Sequence, residues 1–167
     1  MTLVSFVKVL AAALTSLSFC SSSWAQADEA RAKKIISGSC FLCHGAEGDS
    51  SSEVFPRLAG QHSEYIAKQL DNFKSGKRKS TAMASMVEKL TTDEMLAIGR
   101  FFEKQNVVVE PPKDKNLAGV GQDIFHNGNK LSGVPSCASC HGAEAKGTVS
   151  LPRLASQYAI YTETQLK

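Results

Sequence analysis

Apolar and polar residues along the chain follow the helical repeat, and no stretch shows the alternation of a strand. Residues 28–40, DEARAKKIISGSC, predict a short helix. Residues 63–76, SEYIAKQLDNFKSG, predict a second helix with Ser63 as its N-cap and Gly76 at its end. The run TTDE at residues 91–94 predicts a capping box before a third helix. The apolar positions of that helix recur at i, i+3, i+4 and i+7, namely Met95, Ile98, Gly99 and Phe102. The pattern predicts an all-α fold.

A long segment of the chain occurs twice. From Cys40 the sequence is CFLCHGAEGDSSSEVFPRLAGQHSEYIAKQL, and from Cys137 it is CASCHGAEAKGTVSLPRLASQYAIYTETQL. The two copies share PRLA and several later residues in phase, which are Gln61 and Gln157, Tyr65 and Tyr161, and Gln69-Leu70 and Gln165-Leu166. This self-similarity predicts a tandem duplication of one small domain.

The repeat defines the expected domain boundaries. We expect a first domain over residues 28–105 and a second over residues 117–167, which begins with the Gly-rich segment LAGVGQDIFHNGNKLSGVPSC. Between them, residues 106–116, NVVVEPPKDKN, form the expected linker, since Pro111 and Pro112 favour an extended chain. Each domain is small enough that we expect a disulfide, a metal or a cofactor to stabilise it.

Residues 1–27 have the layout of a cleaved secretory leader, with Lys8, an apolar run at residues 9–17 and Ala-Gln-Ala at residues 25–27. The run is too short to span a bilayer. We expect cleavage after residue 27, with residue 25 as second choice, and a periplasmic mature protein. Cys20 raises a lipoprotein alternative, which the bulky Phe19 before it disfavours.

Two identical Cys-x-x-Cys-His motifs contain the other four cysteines, which are Cys40, Cys43, Cys137 and Cys140. In an exported protein these could form local disulfides, but no βαβ pattern accompanies them. A shared zinc site does not explain their separation or the histidine after each pair. Cys-x-x-Cys-His is the attachment site of a c-type haem. The two thiols would bond the porphyrin, and His44 and His141 would each bind an iron from the proximal side. The sequence predicts two covalently bound haems.

The distal iron ligand of the first haem is expected to be a methionine, since a thioether suits an electron carrier. Met95 falls on the apolar face of a predicted helix, so we expect it in the core. Met83 and Met86 lie in a loop-like segment, KSTAMASMVEKL, and one is expected to be the ligand while the other packs. By the repeat, the second domain's counterpart of Met83 would fall beyond residue 167. We therefore expect the printed chain to be incomplete at its C-terminus; otherwise the second haem is five-coordinate, and His126 becomes the candidate ligand.

The repeated CxxCHG and PRLA motifs, the segment Y…KQL and the segment MxxM…L before a capping box resemble the dihaem cytochromes c4. That family consists of two tandem class I cytochrome c domains, each wrapped around one haem, and the resemblance covers about residues 30–167. It implies that the axial methionine stands seven residues before a leucine, which matches Met83 and Leu90 and selects Met83 over Met86. It also implies that the carbonyl groups of Pro56 and Pro152 accept the N–H of the proximal histidines, a bond that fixes the ring.

Other repeated polar residues have open roles. Arg57 and Arg153 could pair with haem propionates or lie in solvent. Tyr65 and Tyr161 are expected at a haem edge or at the domain interface, with core packing as the alternative. Two histidines lack a counterpart in the other copy, and we expect them on the surface; they are His62 and His126. The basic run FKSGKRK at residues 73–79 could dock an acidic partner or be a solvated helix end.

Charge adds little to this picture. The net charge of +3 becomes +2 once Lys8 is removed with the leader, and four haem propionates would bring it to about −2. Nothing indicates nucleic-acid binding or membrane insertion, and peripheral membrane contact is compatible with the sequence.

The resemblance to cytochromes c4 implies a carrier of single electrons, not an enzyme. Its partners would be a quinol-oxidising complex (quinol:cytochrome c oxidoreductase) and a terminal oxidase. An alternative is the dihaem electron-accepting subunit of a periplasmic dehydrogenase, such as flavocytochrome c sulfide dehydrogenase. An open-haem peroxidase or gas sensor would need a vacant iron position and distal polar residues, and no distal His-Arg set lies near either motif.

Overall fold

A computed structural model of the chain describes residue 26 and residues 28–167. The expected leader, its cleavage site and the lipoprotein alternative at Cys20 lie outside these residues. In the described part of the chain, pairing of extended backbone is limited to one isolated bridge between Asn129 and Val134, so the all-α prediction is confirmed. None of the helices described there is long and apolar enough to cross a membrane.

Seven helical segments follow one another in the described residues. The first, α1, covers residues 28–44 and contains a π-helical stretch, Ile36–Cys40, just before Phe41–His44. The others are α2 (Ser63–Lys74), α3 (Thr81–Val87), α4 (Thr92–Glu103), α5 (Lys115–Asn127), α6 (Ala138–His141) and α7 (Ala159–Leu166). The two copies of the repeat therefore place a Cys-x-x-Cys-His motif at the end of α1 and across α6.

Helix α2 begins one residue earlier than its sequence pattern predicts. Ser63 is its first helical residue, His62 is the N-cap, and neither provides a side-chain cap. The free N–H of Ser63 is instead accepted by the Glu103 carboxylate at 3.2 Å. The prediction that Ser63 is the N-cap was wrong because a residue 40 positions away satisfies this helix end.

The predicted capping box of α4 is present. Thr91 Oγ1 accepts from the N–H of Glu94, and the Glu94 carboxylate accepts from the N–H of Thr91 at 2.7 Å. Asp114 caps α5 by accepting from the N–H groups of Asn116 and Leu117, so this helix starts inside the segment expected to be linker.

The buried core of the described residues lies in the first half of the chain, between α1, α2 and α4. Helices α2 and α4 pack directly against each other. At Gly99 a Cβ atom would stand 2.3 Å from the carbonyl oxygen of Ser63, so only glycine allows this crossing. The apolar residues of the core are Ala32, Ile36, Ile66, Val87, Leu90, Met95, Ala97, Ile98 and Phe102. Met95 is thus in the core, as its helical position predicts.

Candidate haem-binding sites and the contact between the two halves

Each Cys-x-x-Cys-His motif lies at a helix end that stops sharply at the following glycine. Gly45 after His44 has φ +78°, and Gly142 after His141 has φ +79°. These are left-handed values that glycine adopts at little cost. At Gly45 a Cβ would also fall 2.1 Å from the Asp49 carboxylate. The turn carries the chain away from the motif immediately after the histidine.

Among the described residues, the four motif cysteines form no disulfides, in contrast to the disulfide alternative. Burial raises the pKa of the Cys40 thiol, which lies next to the Ser39 hydroxyl. The two thiols of each motif stand three positions apart within one helical turn, beside a histidine. This donor set fits the attachment of one haem at each motif.

Both motif histidines are fixed by the proline that follows in the repeat. His44 Nδ1 donates to the carbonyl oxygen of Pro56 at 3.0 Å, and His141 Nδ1 donates to that of Pro152 at 2.9 Å. Because Nδ1 is engaged, Nε2 is the nitrogen left to bind iron. Burial lowers the pKa of His44, and the weaker opposing effect comes from the Pro56 carbonyl. This shift favours the neutral ring, which is the form that binds a metal.

The two candidate methionines differ in burial. The segment expected to be loop-like is the short helix α3, capped by the Ser80 hydroxyl, which accepts from the N–H of Met83. Met83 packs against the core, whereas Met86 is 52% exposed, so the expectation that the second methionine packs was wrong. Leu90 is buried, and its carbonyl accepts from Lys74 Nζ. Of the pair, Met83 is the one that faces the interior.

Arg57 is neither solvated nor free, because its side chain is only 9% exposed and joins three parts of the chain. Its guanidinium donates to the carbonyl of Asp49 at 3.2 Å and to that of Ser156 at 3.0 Å. It also pairs with Glu110 of the interdomain segment and stacks 4.0 Å from the centre of the Tyr158 ring. The structure thus places Arg57 where the two halves meet.

Two glutamines form a nearly symmetric contact across the same interface. Gln157 Oε1 accepts from the N–H of Arg57, and Gln157 Nε2 donates to the Arg57 carbonyl, both at 3.0 Å. Gln61 makes the same pair of bonds with Arg153, at 2.8 and 3.0 Å. Each amide therefore pairs with the backbone of the arginine in the other copy.

The residue after each glutamine also crosses the interface. Tyr158 donates its hydroxyl to the carbonyl of Ser50 at 2.5 Å. His62 Nε2 donates to the carbonyl of Lys146 at 2.9 Å, with Nδ1 3.8 Å from Glu103. His62 was expected on the surface; its side chain is 27% exposed, and its ring bridges the halves.

A second contact between the halves is made by Arg78, a member of the basic run at residues 73–79. Its guanidinium donates to Gln69 and to the Tyr161 hydroxyl, both at 2.9 Å, and to Gln165. Tyr65 faces the same group: burial raises its pKa, and the charge of Arg78 partly opposes this shift. The two repeated tyrosines thus both lie near Arg78, and Tyr161 bonds to it across the two halves.

Arg153 and His126 lie in different environments, and His126 is on the surface as expected. The Nε atom of Arg153 is buried and has no hydrogen-bond partner among the described residues. His126 is exposed, with its ring edge-on to Phe125 at 5.2 Å. Lys77 and Lys79 are exposed, so the basic run is divided between solvent and the Arg78 contact.

Sequence reasoning missed the interface roles of Arg78, Tyr158, Glu110 and the two glutamines. A signal was present for the glutamines, since Gln61 and Gln157 recur in phase, but recurrence alone does not say what a residue contacts. Glu110 and Arg78 lie outside the segment that occurs twice in the printed sequence, so recurrence does not mark them.

Comparison with known proteins identifies this arrangement. The Cytochrome c family model matches residues 29–105 and 121–167. Cytochrome c4 of Thiocapsa roseopersicina is 39% identical over 150 residues, which is 85% of this chain and 72% of that protein. A thiosulfate dehydrogenase electron acceptor of Thiomonas intermedia is 33% identical over 148 residues, covering 86% of this chain and 68% of that protein.

The comparison with solved structures points to the same family. The crystal structure of reduced recombinant cytochrome c4 from Pseudomonas stutzeri matches with a TM-score of 0.75 and 32% identity, over 81% of this chain and 76% of that one. Since the family model and these relatives extend over both copies of the repeat, the chain belongs to the dihaem cytochrome c4 family, electron-transfer proteins rather than enzymes, with two tandem cytochrome c domains and two covalently bound c-type haems.

Proposed function

We propose that the protein is a periplasmic carrier that takes single electrons from a quinol-oxidising complex and passes them to a terminal oxidase. The observation that carries the proposal is the paired geometry of the two motifs, in which His44 and His141 are held by Pro56 and Pro152 in the same way. Two sites built alike and joined by a hydrogen-bonded interface suit a protein that stores and relays electrons.

In this proposal the thiols of Cys40, Cys43, Cys137 and Cys140 hold the two haems covalently. Each haem, when bound, gains or loses one electron at its iron. The protein's residues supply orientation: the proline carbonyl holds the proximal histidine ring, and the buried side of α3 supplies Met83 as the distal ligand of the first haem. Because these groups are fixed before electron transfer, little rearranges when the charge changes.

Met83 can be tested against Met86, which offers a matched control three residues away on the same helix. Met83→Ala in the holoprotein is expected to abolish the weak near-infrared band of methionine bound to ferric haem and to let the first haem bind carbon monoxide. Met86→Ala is expected to leave both properties as in the wild type. If Met86→Ala opens the first haem and Met83→Ala does not, the ligand assignment is reversed.

A second candidate is favoured by one of the relatives. The Thiomonas intermedia protein is named a thiosulfate dehydrogenase electron acceptor, and a protein of the same architecture could receive electrons from a periplasmic dehydrogenase. The haem sites would be the same in both cases, so the difference lies in the partner.

Partner kinetics separates the two candidates. The oxidised holoprotein would be mixed in a stopped-flow instrument with a quinol:cytochrome c oxidoreductase plus quinol, and separately with a thiosulfate dehydrogenase plus thiosulfate. The reduced protein would then be mixed with a terminal oxidase. The carrier proposal expects fast reduction by the first enzyme and fast oxidation by the oxidase. Fast reduction by the dehydrogenase alone, with no turnover by the oxidase, would favour the second candidate.

A further inference from the structure

The peptide group between Pro56 and Arg57 is hydrogen-bonded at both ends, by side chains from different halves of the protein. Its carbonyl oxygen accepts from His44 Nδ1 at 3.0 Å. Its N–H donates to Gln157 Oε1, also at 3.0 Å. One planar amide therefore connects the proximal histidine of the first half with a glutamine of the second.

The same connection occurs at the second motif, where the histidine belongs to the second half and the glutamine to the first. The carbonyl oxygen of the Pro152–Arg153 peptide accepts from His141 Nδ1 at 2.9 Å, and its N–H donates to Gln61 Oε1 at 2.8 Å. Gln61 is 94% buried, since its relative exposure is 6%, so water does not compete strongly for this bond.

Hydrogen bonds in series polarise one another, and the estimated strengthening is about 10–30% for each bond. When a glutamine oxygen accepts from the peptide N–H, more negative charge collects on the carbonyl oxygen of the same peptide. That oxygen then accepts more strongly from the histidine ring. A proximal histidine with a stronger acceptor at Nδ1 is a stronger electron donor at Nε2, and such bonds are a recognised control on haem potential.

We propose that Gln157 and Gln61 are positioning residues that tune the haem of the opposite half, Gln157 through His44 and Gln61 through His141. The inference rests on the proposed role of these histidines as axial ligands. The expected sign of the effect follows from this. Loss of either glutamine oxygen weakens electron donation by one histidine and raises the reduction potential of the haem that this histidine binds.

The test uses Gln157→Leu and Gln61→Leu in the holoprotein, with the two potentials measured by spectroelectrochemical titration. Nuclear magnetic resonance of the reduced protein would assign the haems and follow the Nδ1–H resonances of His44 and His141. We expect each variant to raise one potential only, changing the equilibrium constant for electron sharing between the haems about threefold. For a one-electron couple this is ~30 mV. The Nδ1–H resonance of the corresponding histidine should move with it.

Tyr158→Phe is the matched control, because it removes an interface hydrogen bond to Ser50 without touching either peptide group. It should leave both potentials and both histidine resonances unchanged. Equal shifts of the two haems in either glutamine variant, or the same shifts in Tyr158→Phe, would assign the effect to the interface as a whole and overturn the proposal. Unchanged potentials in both glutamine variants would also overturn it.

If Gln157→Leu does not accumulate as holoprotein, Gln157→Glu replaces it, since it keeps the acceptor, loses the Nε2 donor and adds a negative charge. The first haem's potential should then fall by more than the second's, whereas equal falls would indicate charge alone and contradict the proposal. The failure of the ligand assignment is visible separately. In that case the wild-type protein would show no haem-dependent shift at the His44 and His141 ring protons.

Discussion

Replacement of Arg57 by methionine tests how firmly the two halves are joined. Methionine keeps an apolar side chain of similar length but removes the guanidinium, which contacts the carbonyls of Asp49 and Ser156, the Tyr158 ring and Glu110. The variant therefore removes polar contacts to the loop of the first half, to the interdomain segment and to the second half in one step.

The expected loss follows from these contacts. A hydrogen bond from a charged donor contributes about 1.5–3 kcal/mol, and two carbonyls each lose one. Stacking over Tyr158 adds about 0.5–1 kcal/mol. The Glu110 side chain is 53% exposed, so solvent screening limits that ion pair to about 0–1 kcal/mol. Because neighbouring terms do not add fully, we expect Arg57→Met to destabilise the contact between the halves by about 3–5 kcal/mol.

Guanidinium unfolding of the holoprotein, followed by helix circular dichroism and by haem absorbance, measures this change. A weakened interface should separate the two probes into distinct transitions, since the halves then unfold independently. Arg57→Lys keeps the charge but not the planar guanidinium with its several N–H donors. It should lower the free energy of unfolding by roughly half as much as Arg57→Met. Lys113→Met is the control: it removes only an exposed ion pair with Glu53 and should leave both unfolding transitions as in the wild type. If Arg57→Met lies within about 1 kcal/mol of the wild type, with coincident transitions, the reasoning is refuted.

Three further outcomes are expected. Phe102→Ala, at a fully buried position, should lower the free energy of unfolding by about 3–5 kcal/mol. A loss under about 1 kcal/mol would contradict the packing of Phe102 in the core. Gly99→Ala should destabilise the fold by about 1–3 kcal/mol, because its Cβ would meet the carbonyl of Ser63. An unchanged melting temperature would argue against this helix crossing. The hydrogen bond from the Thr91 N–H lowers the pKa of Glu94. The stability that the ionised Glu94 carboxylate contributes to the fold is therefore complete above the ordinary pKa of 4.5. It is lost as pH falls through the lowered pKa. Glu94→Gln should flatten the stability profile below pH 4.5, and an unchanged profile would exclude this effect.

Features that depend on near neighbours in the chain could be predicted. The Cys-x-x-Cys-His motifs, the helix before the first of them and the capping box at Thr91 and Glu94 involve residues no more than a few positions apart. Periodicity placed Met95 in the core for the same reason. The histidine–proline bonds span only 12 and 11 positions, and the resemblance to a family implied them.

Sequence reasoning failed at two places, and at the first of them a distant residue decided the local structure. Ser63 was taken for the N-cap of α2, but Glu103 satisfies its N–H. The segment around Met83 was expected to be loop-like, and it forms α3 with Met86 on the exposed side. Local preference is weak enough for such tertiary contacts to override it.

The sequence by itself determined that this protein has two similar helical units, each with two thiols and a histidine placed to hold a haem. These features need only short spacings, which the chain's local geometry fixes. The tertiary structure alone decided how the units meet. Arg57 pairs with the backbone of Ser156, Gln61 with Arg153, and Arg78 with Tyr161, across 99, 92 and 83 positions of chain. Hydrogen-bonding groups of this kind can be satisfied by many partners, and only the folded arrangement of both halves selects one.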